Sequence, residues 1–214
     1  MEKYRLLIGD IVNIGGNILY RIEAIKSFGD VIEGDRGGYI AKTTNLSHEG
    51  TCWVFGNAKV FEGARVSGNA KVRGNAKVYG NAYIYGDAKV SGDAEVFDSA
   101  EVYEQAKVRG NAKVFEKAEV YGNAKVSEKA KVSEKAKVYG YAKVFGKAKV
   151  FGKAKVFENA EVREHVKVYS DASVYGNATV GGHSKISGKV EVAGSVNIYG
   201  DAEVYLNDKV YDFW

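Results

Sequence analysis

Few side chains of this 214-residue sequence have chemistry to offer: three histidines, one cysteine and a recurring column of lysines. Imidazole is the commonest general base and a common metal ligand, so His48, His165 and His183 are the first candidates for a reactive site. His165 and His183 stand eighteen residues apart, both at corner positions of a repeat described below. A catalytic zinc needs three protein ligands and an open position. The other residues at that spacing are Asn57, Asn75, Asp93, Asn111, Lys129, Lys147 and Asp201, which add no third imidazole. The sequence therefore predicts no metal site, assigns no catalytic residue and implies no cofactor. Cys52, the single cysteine, falls at a position of small inward residues and reads as a buried thiol; it excludes a disulfide within the chain.

The lysines are more organised. Lys71, Lys89, Lys107, Lys125 and Lys143 recur every eighteen residues, with Arg73, Arg109 and Arg163 in the neighbouring column, and Glu161 is the first acid to interrupt them. Cations stacked at about the 4.8 Å strand spacing repel unless an anion lies between them. Lys71, Arg73, Lys89, Lys107, Arg109, Lys125 and Lys143 are therefore the candidate site for a small anionic ligand. The alternative is a solvated surface, with corner acids such as Glu128 reaching neighbouring lysines. A net charge of only +4 argues against nucleic acid as the partner.

What positions these residues is a repeat. From Val54 to Val210 every sixth residue is Val or Ile, and the residue two before it is nearly always Ala. Alternate side chains of a strand point to opposite faces, so Ala and Val line one side while the Lys between them and the Tyr, Phe or Ser after them line the other. Gly-Asn, Gly-Asp and Glu-Lys pairs follow at places suited to tight corners. Three such strands close a triangular coil of eighteen residues, too narrow inside for two large residues per side. The twenty-seven hexads predict about nine coils of an all-β parallel β-helix, some 43 Å long at about 4.8 Å per coil. Proline is absent, as suits strands that need their backbone donors.

The first fifty residues lack this period. Leu6 to Val12 and Ile18 to Ile25 read as strands around the hairpin turn Asn13-Ile14-Gly15-Gly16-Asn17. The expected organisation is a small N-terminal β cap over 1–50 and a hexapeptide-repeat β-helix over 51–214, because an uncovered coil end invites end-to-end stacking. Leu206, Phe213 and Trp214 are candidates to cover the far end. Val166, Ser184, Val190 and Val196 replace the inward Ala and predict a wider end of the prism, and Asp208 at the same position predicts a frayed or capped terminus.

The repeat resembles that of left-handed parallel β-helix proteins, and the handedness follows from that resemblance. Phe28-Gly29-Asp30-Val31, Gly37-Gly38-Tyr39-Ile40, Asn45 to Gly50 and Cys52-Trp53-Val54 resemble the opening segment of YdcK-like hexapeptide-repeat proteins of bacteria and phages, which carry an acyltransferase label. The resemblance implies the fold and that label. Hexapeptide acyltransferases use a histidine base and hold coenzyme A between the β-helices of a trimer, on loops that leave the coil. Here no insertion breaks the register after Val54. The γ-class carbonic anhydrases resemble this fold as well and imply a zinc held by three histidines, which this sequence does not supply.

Sorting the outward residues by the eighteen-residue period separates the faces. The face of Val66 carries Ser67, Tyr85, Tyr103, Tyr121, Tyr139, Phe157, Tyr175, Ala193 and Tyr211; the face of Val60 carries Phe61, Tyr79, Phe97, Phe115, Ser133, Phe151, Tyr169, Ser187 and Tyr205. The face of Val54 is mainly polar. Two aromatic ladders on one rod predict self-association through Phe61, Tyr79, Tyr85, Phe97, Tyr103, Phe115, Tyr121, Tyr139, Phe151, Phe157, Tyr169 and Tyr175, with a parallel homotrimer as the expected state. The alternative is that the rings shield one another along the rod. The expected function is a non-enzymatic structural or interaction protein; the alternatives are a module binding a nucleotide-like anion in grooves between subunits, and an acyltransferase using acyl-CoA. No apolar run reaches membrane length and no signal-peptide pattern opens the chain, so the expected location is cytoplasmic.

Overall fold

The computed structural model describes residues 2–205 and 208–211; Leu206, Phe213 and Trp214, expected to close the far end, lie outside the described residues. Strands β1 (Tyr4–Ile14) and β2 (Asn17–Ala24) pair antiparallel. Their turn is Gly15-Gly16, with φ of 55° and 88°, where a Cβ would be costly. Strand β3 (Arg36–Ile40) pairs antiparallel with β2 on one edge and parallel with Lys59–Val60 on the other. Cap and coil thus share one twelve-stranded sheet, and the boundary near residue 50 is crossed by hydrogen bonds such as Tyr39 N–H to the Ala58 carbonyl at 2.9 Å.

The coil in fact begins inside the cap. Ile40 and Leu46 lie six residues apart, are fully buried, and stand beside Val60 and Val66 in parallel register. Eight residues, not six, then separate Leu46 from Val54. The two extra residues bulge in the Ser47–Thr51 segment and hide the first coil from a search for the six-residue period.

Twenty-seven two-residue strands follow, from Trp53–Val54 to Lys209–Val210. Each internal strand lies between those eighteen residues before and after it, as Val90 lies between Val72 and Val108. These strands form three parallel stacks, one continuing the cap as a twelve-stranded sheet and two of nine strands, so the protein is a β-solenoid of about nine coils. Every Ala and Val of the inward columns between Val72 and Val162 is fully enclosed. Alanine suits these positions because overpacking so narrow a core costs about 1–3 kcal/mol. Val166 and Val190 are accommodated in place of Ala, and buried Ser184 donates its hydroxyl to the Gly181 carbonyl at 2.9 Å. Asp208 is exposed on the last described coil, as a carboxylate at an open end should be. Among the described residues, no helix is long and apolar enough to cross a membrane.

Candidate functional site

The register brings the lysines of the Val54 face into line. Lys71, Lys89, Lys107, Lys125 and Lys143 pair strand to strand. They line a groove of about 740 Å³ whose other wall is a corner column that includes Asn69, Asp87, Gln105, Asn123 and Tyr141. The ends of the row are engaged. Asp30 of the cap binds Lys71 at 2.6 Å and Arg73 at 3.0 Å. The hydrogen bond from Lys71 holds the Asp30 carboxyl below the usual carboxylate range. Lys143 meets Glu161 at 2.6 Å. Lys89, Lys107 and Lys125 are exposed and form no ion pair among the described residues, and the same holds for Arg109. The seven candidates therefore divide into two clamped to the cap, one tied to Glu161 and four that point to solvent without a counter-charge.

The histidines do not converge. His165 and His183 stack with ring centroids 4.5 Å apart. His48 lies with the cap: its ring stacks on Tyr4 at 4.3 Å, and its Nδ1 accepts the backbone N–H of Lys3 at 3.2 Å. Burial lowers its pKa. Among the described residues no group of three or more His, Cys, Asp or Glu could hold a metal ion. Beside His48, Lys3 is buried at 1 % exposure with its ammonium directed at the carbonyls of Glu49, Gly50 and Cys52, 3.0–3.3 Å away, and at the Cys52 thiol at 3.3 Å. Burial lowers the Lys3 pKa and raises that of Cys52. The ammonium holds in place the bulge that carries the two extra residues of the first coil.

The aromatic columns stack. Tyr85, Tyr103, Tyr121, Tyr139, Phe157 and Tyr175 form one row with centroids 4.7–4.9 Å apart and planes within 7°. Phe61, Tyr79, Phe97 and Phe115 form a second, and Phe151 with Tyr169 continue it beyond Ser133. Phe61 is buried and the other rings are half-buried, because each covers its neighbour's face and leaves its edge to solvent. The Tyr85 and Tyr103 hydroxyls donate to Glu101 and Glu119 at 3.0 and 3.2 Å.

No family model and no curated protein matches the chain.

The Val60 face bears its own lysine row, Lys113, Lys131, Lys149, Lys167 and Lys185, in register between Glu95 and Glu203. This row keeps the same eighteen-residue period as Lys71 to Lys143, which is its signal in the sequence. Corner acids also act differently from the expectation: the Glu128 carboxylate accepts the Gly146 backbone N–H at 3.1 Å instead of reaching a lysine.

Proposed function

We infer that the protein is a non-enzymatic structural and interaction rod, a rigid homotrimer that displays in-register side-chain ladders. The observation that carries this reading is the unbroken six-ring row from Tyr85 to Tyr175, a straight aromatic strip along a rod whose strands keep one register. Flat strips of this kind suit side-by-side packing of parallel copies, in which ring edges interdigitate and Tyr hydroxyls stay at the rim. Acyl transfer finds less support, since the His48 ring is occupied by Tyr4 and the Lys3 backbone and the other two histidines stack on each other. Light scattering during gel filtration tests the assembly. The expected mass is three times the 23.3 kDa of one chain, and a monomer mass at micromolar concentration would overturn it.

A second reading is favoured by the uncompensated lysines: the Val54-face groove holds an anionic ligand against Lys89, Lys107 and Lys125. Inorganic tripolyphosphate is the probe. Replacing all three lysines by Ala should weaken its binding at least tenfold and flatten the salt dependence, each lysine acting as one charge contact. Equal binding by the triple variant would refute the groove.

A further inference from the structure

Ser133 interrupts the aromatic ladder of the Val60 face between Phe115 and Phe151. Above the gap Phe115 stacks on Phe97 at 5.0 Å and 4°; below it Phe151 stacks on Tyr169 at 5.0 Å and 2°. A rung is missing from an otherwise regular stack. Two coils at the strand spacing separate Phe115 from Phe151 by roughly 9.6 Å. One planar ring inserted midway restores the 5 Å period of the ladder on both sides.

Other interruptions of the ladders are closed by their neighbours. At Ala193 the hydroxyls of Tyr175 and Tyr211 meet at 3.4 Å, and Ala193 is buried. Ser187 is buried as well, at 7 % exposure. Ser133 differs on each count. It is half-exposed, its hydroxyl makes no hydrogen bond among the described residues, and no ring contact or hydrogen bond links Phe115 to Phe151.

The surroundings of this gap are cationic on one side and mixed in charge on the other. Lys131 precedes Ser133 by two residues and so points to the same outer face, with Lys149 in register on the next coil. At the following corner, Lys117 and Lys135 line a depression of about 540 Å³ that also contains Glu116, Glu134 and the ion pair of Lys153 with Asp171. None of Lys131, Lys149, Lys117 and Lys135 forms an ion pair among the described residues. Aromatic faces above and below, with ammonium groups at arm's length, match a flat ring that carries phosphate.

We propose that the gap at Ser133 is a binding site for a mononucleotide, its base sandwiched between Phe115 and Phe151 and its phosphates met by Lys131 and Lys149 or by Lys117 and Lys135. Stacking on two aromatic faces is tolerant of base identity, and the lysines supply the charge complement. A single gap accepts a single base, so the ligand is a mononucleotide and not a strand. The site lies on a different face from the Lys89–Lys125 groove and from the Tyr85–Tyr175 row that carries the trimer, although Phe115 and Phe151 also belong to the expected self-association surface.

The test is titration of etheno-ATP, whose fluorescence reports stacking, against the full chain and its variants. Saturable binding of one molecule per chain is expected, with ATP competing and with tripolyphosphate and adenosine each competing at least tenfold less well, since each meets only half of the site. Ser133→Phe supplies the missing rung from within and should lower affinity at least tenfold, on the scale of one lost base stack. Ser133→Ala leaves the gap open and should bind within about twofold of the parent, a change well below one stacking interaction. Circular dichroism checks that both variants keep the strand signal. Undiminished binding by a folded Ser133→Phe chain, competition by tripolyphosphate equal to that by ATP, or no saturable binding at millimolar nucleotide would each overturn the proposal. So would a trimer that dissociates on Ser133→Phe substitution while nucleotide fails to bind the parent, because the gap would then receive a ring from a second copy.

Discussion

A corner residue of this solenoid meets two opposed demands. The first position of the corner has positive φ, which glycine adopts freely and other residues adopt at a cost of about 1–2 kcal/mol. Yet Glu62, Glu104, Glu128, Glu158 and Glu164 occupy it with φ of 55–62°. Each places its carboxylate on the backbone N–H of the glycine at the same corner of the next coil: Gly80, Gly122, Gly146, Gly176 and Gly182. A charged acceptor on a backbone donor offsets the strain. Glu104, whose carboxylate meets the Gly122 N–H at 2.8 Å, makes the balance measurable. Glu104→Ala keeps the strained φ and loses the bond, and should cost about 1–2 kcal/mol in urea unfolding. Glu104→Gly loses the bond but relieves the strain, and should stay within about 0.5–1 kcal/mol of the parent. If both variants lose the same stability, the carboxylate rather than the backbone strain sets the cost.

At the scale of elements, what the sequence made legible follows from which forces repeat. The inward Val and the Ala two before it made strand, corner and coil legible, because a narrow core favours one small and one branched residue per strand; the observed strands Lys59–Val60 through Lys209–Val210 fall where the hexads put them. The stacked rings at Tyr85 and Tyr103 follow from the same period, as does the His165–His183 stack. The first coil was not legible. Ile40 and Leu46 are its inward residues, but the bulge before Val54 shifts them by two places, and only the pairing of Tyr39 with Lys59 reveals the register. Charge partners were hidden for a related reason. Asp30 pairs with both Lys71 and Arg73 from far away in sequence, through a cap contact that no repeat encodes. Of the candidate anion strip, periodicity supplied the alignment, and tertiary contacts decided which lysines stay uncompensated.

Across the whole molecule, burial acts on many tyrosines at once, and this sets the response to alkali. Burial raises the phenol pKa of Tyr4, Tyr79, Tyr85, Tyr103, Tyr121 and Tyr139, with the hydrogen bonds to Glu101 and Glu119 adding to the effect at Tyr85 and Tyr103. A group whose folded pKa lies above its unfolded value contributes stability that is complete below the unfolded pKa, about 10 for tyrosine, and is lost as pH rises through the folded one. Lys3 and Lys59 act in the opposite sense, since burial lowers their pKa and lets stability rise with pH as each ammonium loses its proton. Two lysines stand against these six tyrosines, so the tyrosines decide the sign. The urea midpoint should hold or rise slightly from neutral pH to about pH 9 and fall steeply above about pH 10. Phenolate absorbance of the ladder should then appear together with loss of the strand signal in circular dichroism, because the stacked rings ionise only as the coils open. Ionisation of all the tyrosines around pH 10 with the strand signal intact would mean that water reaches the ladder hydroxyls freely. The half-buried rows would then be loose surface decoration instead of part of what holds neighbouring coils in register.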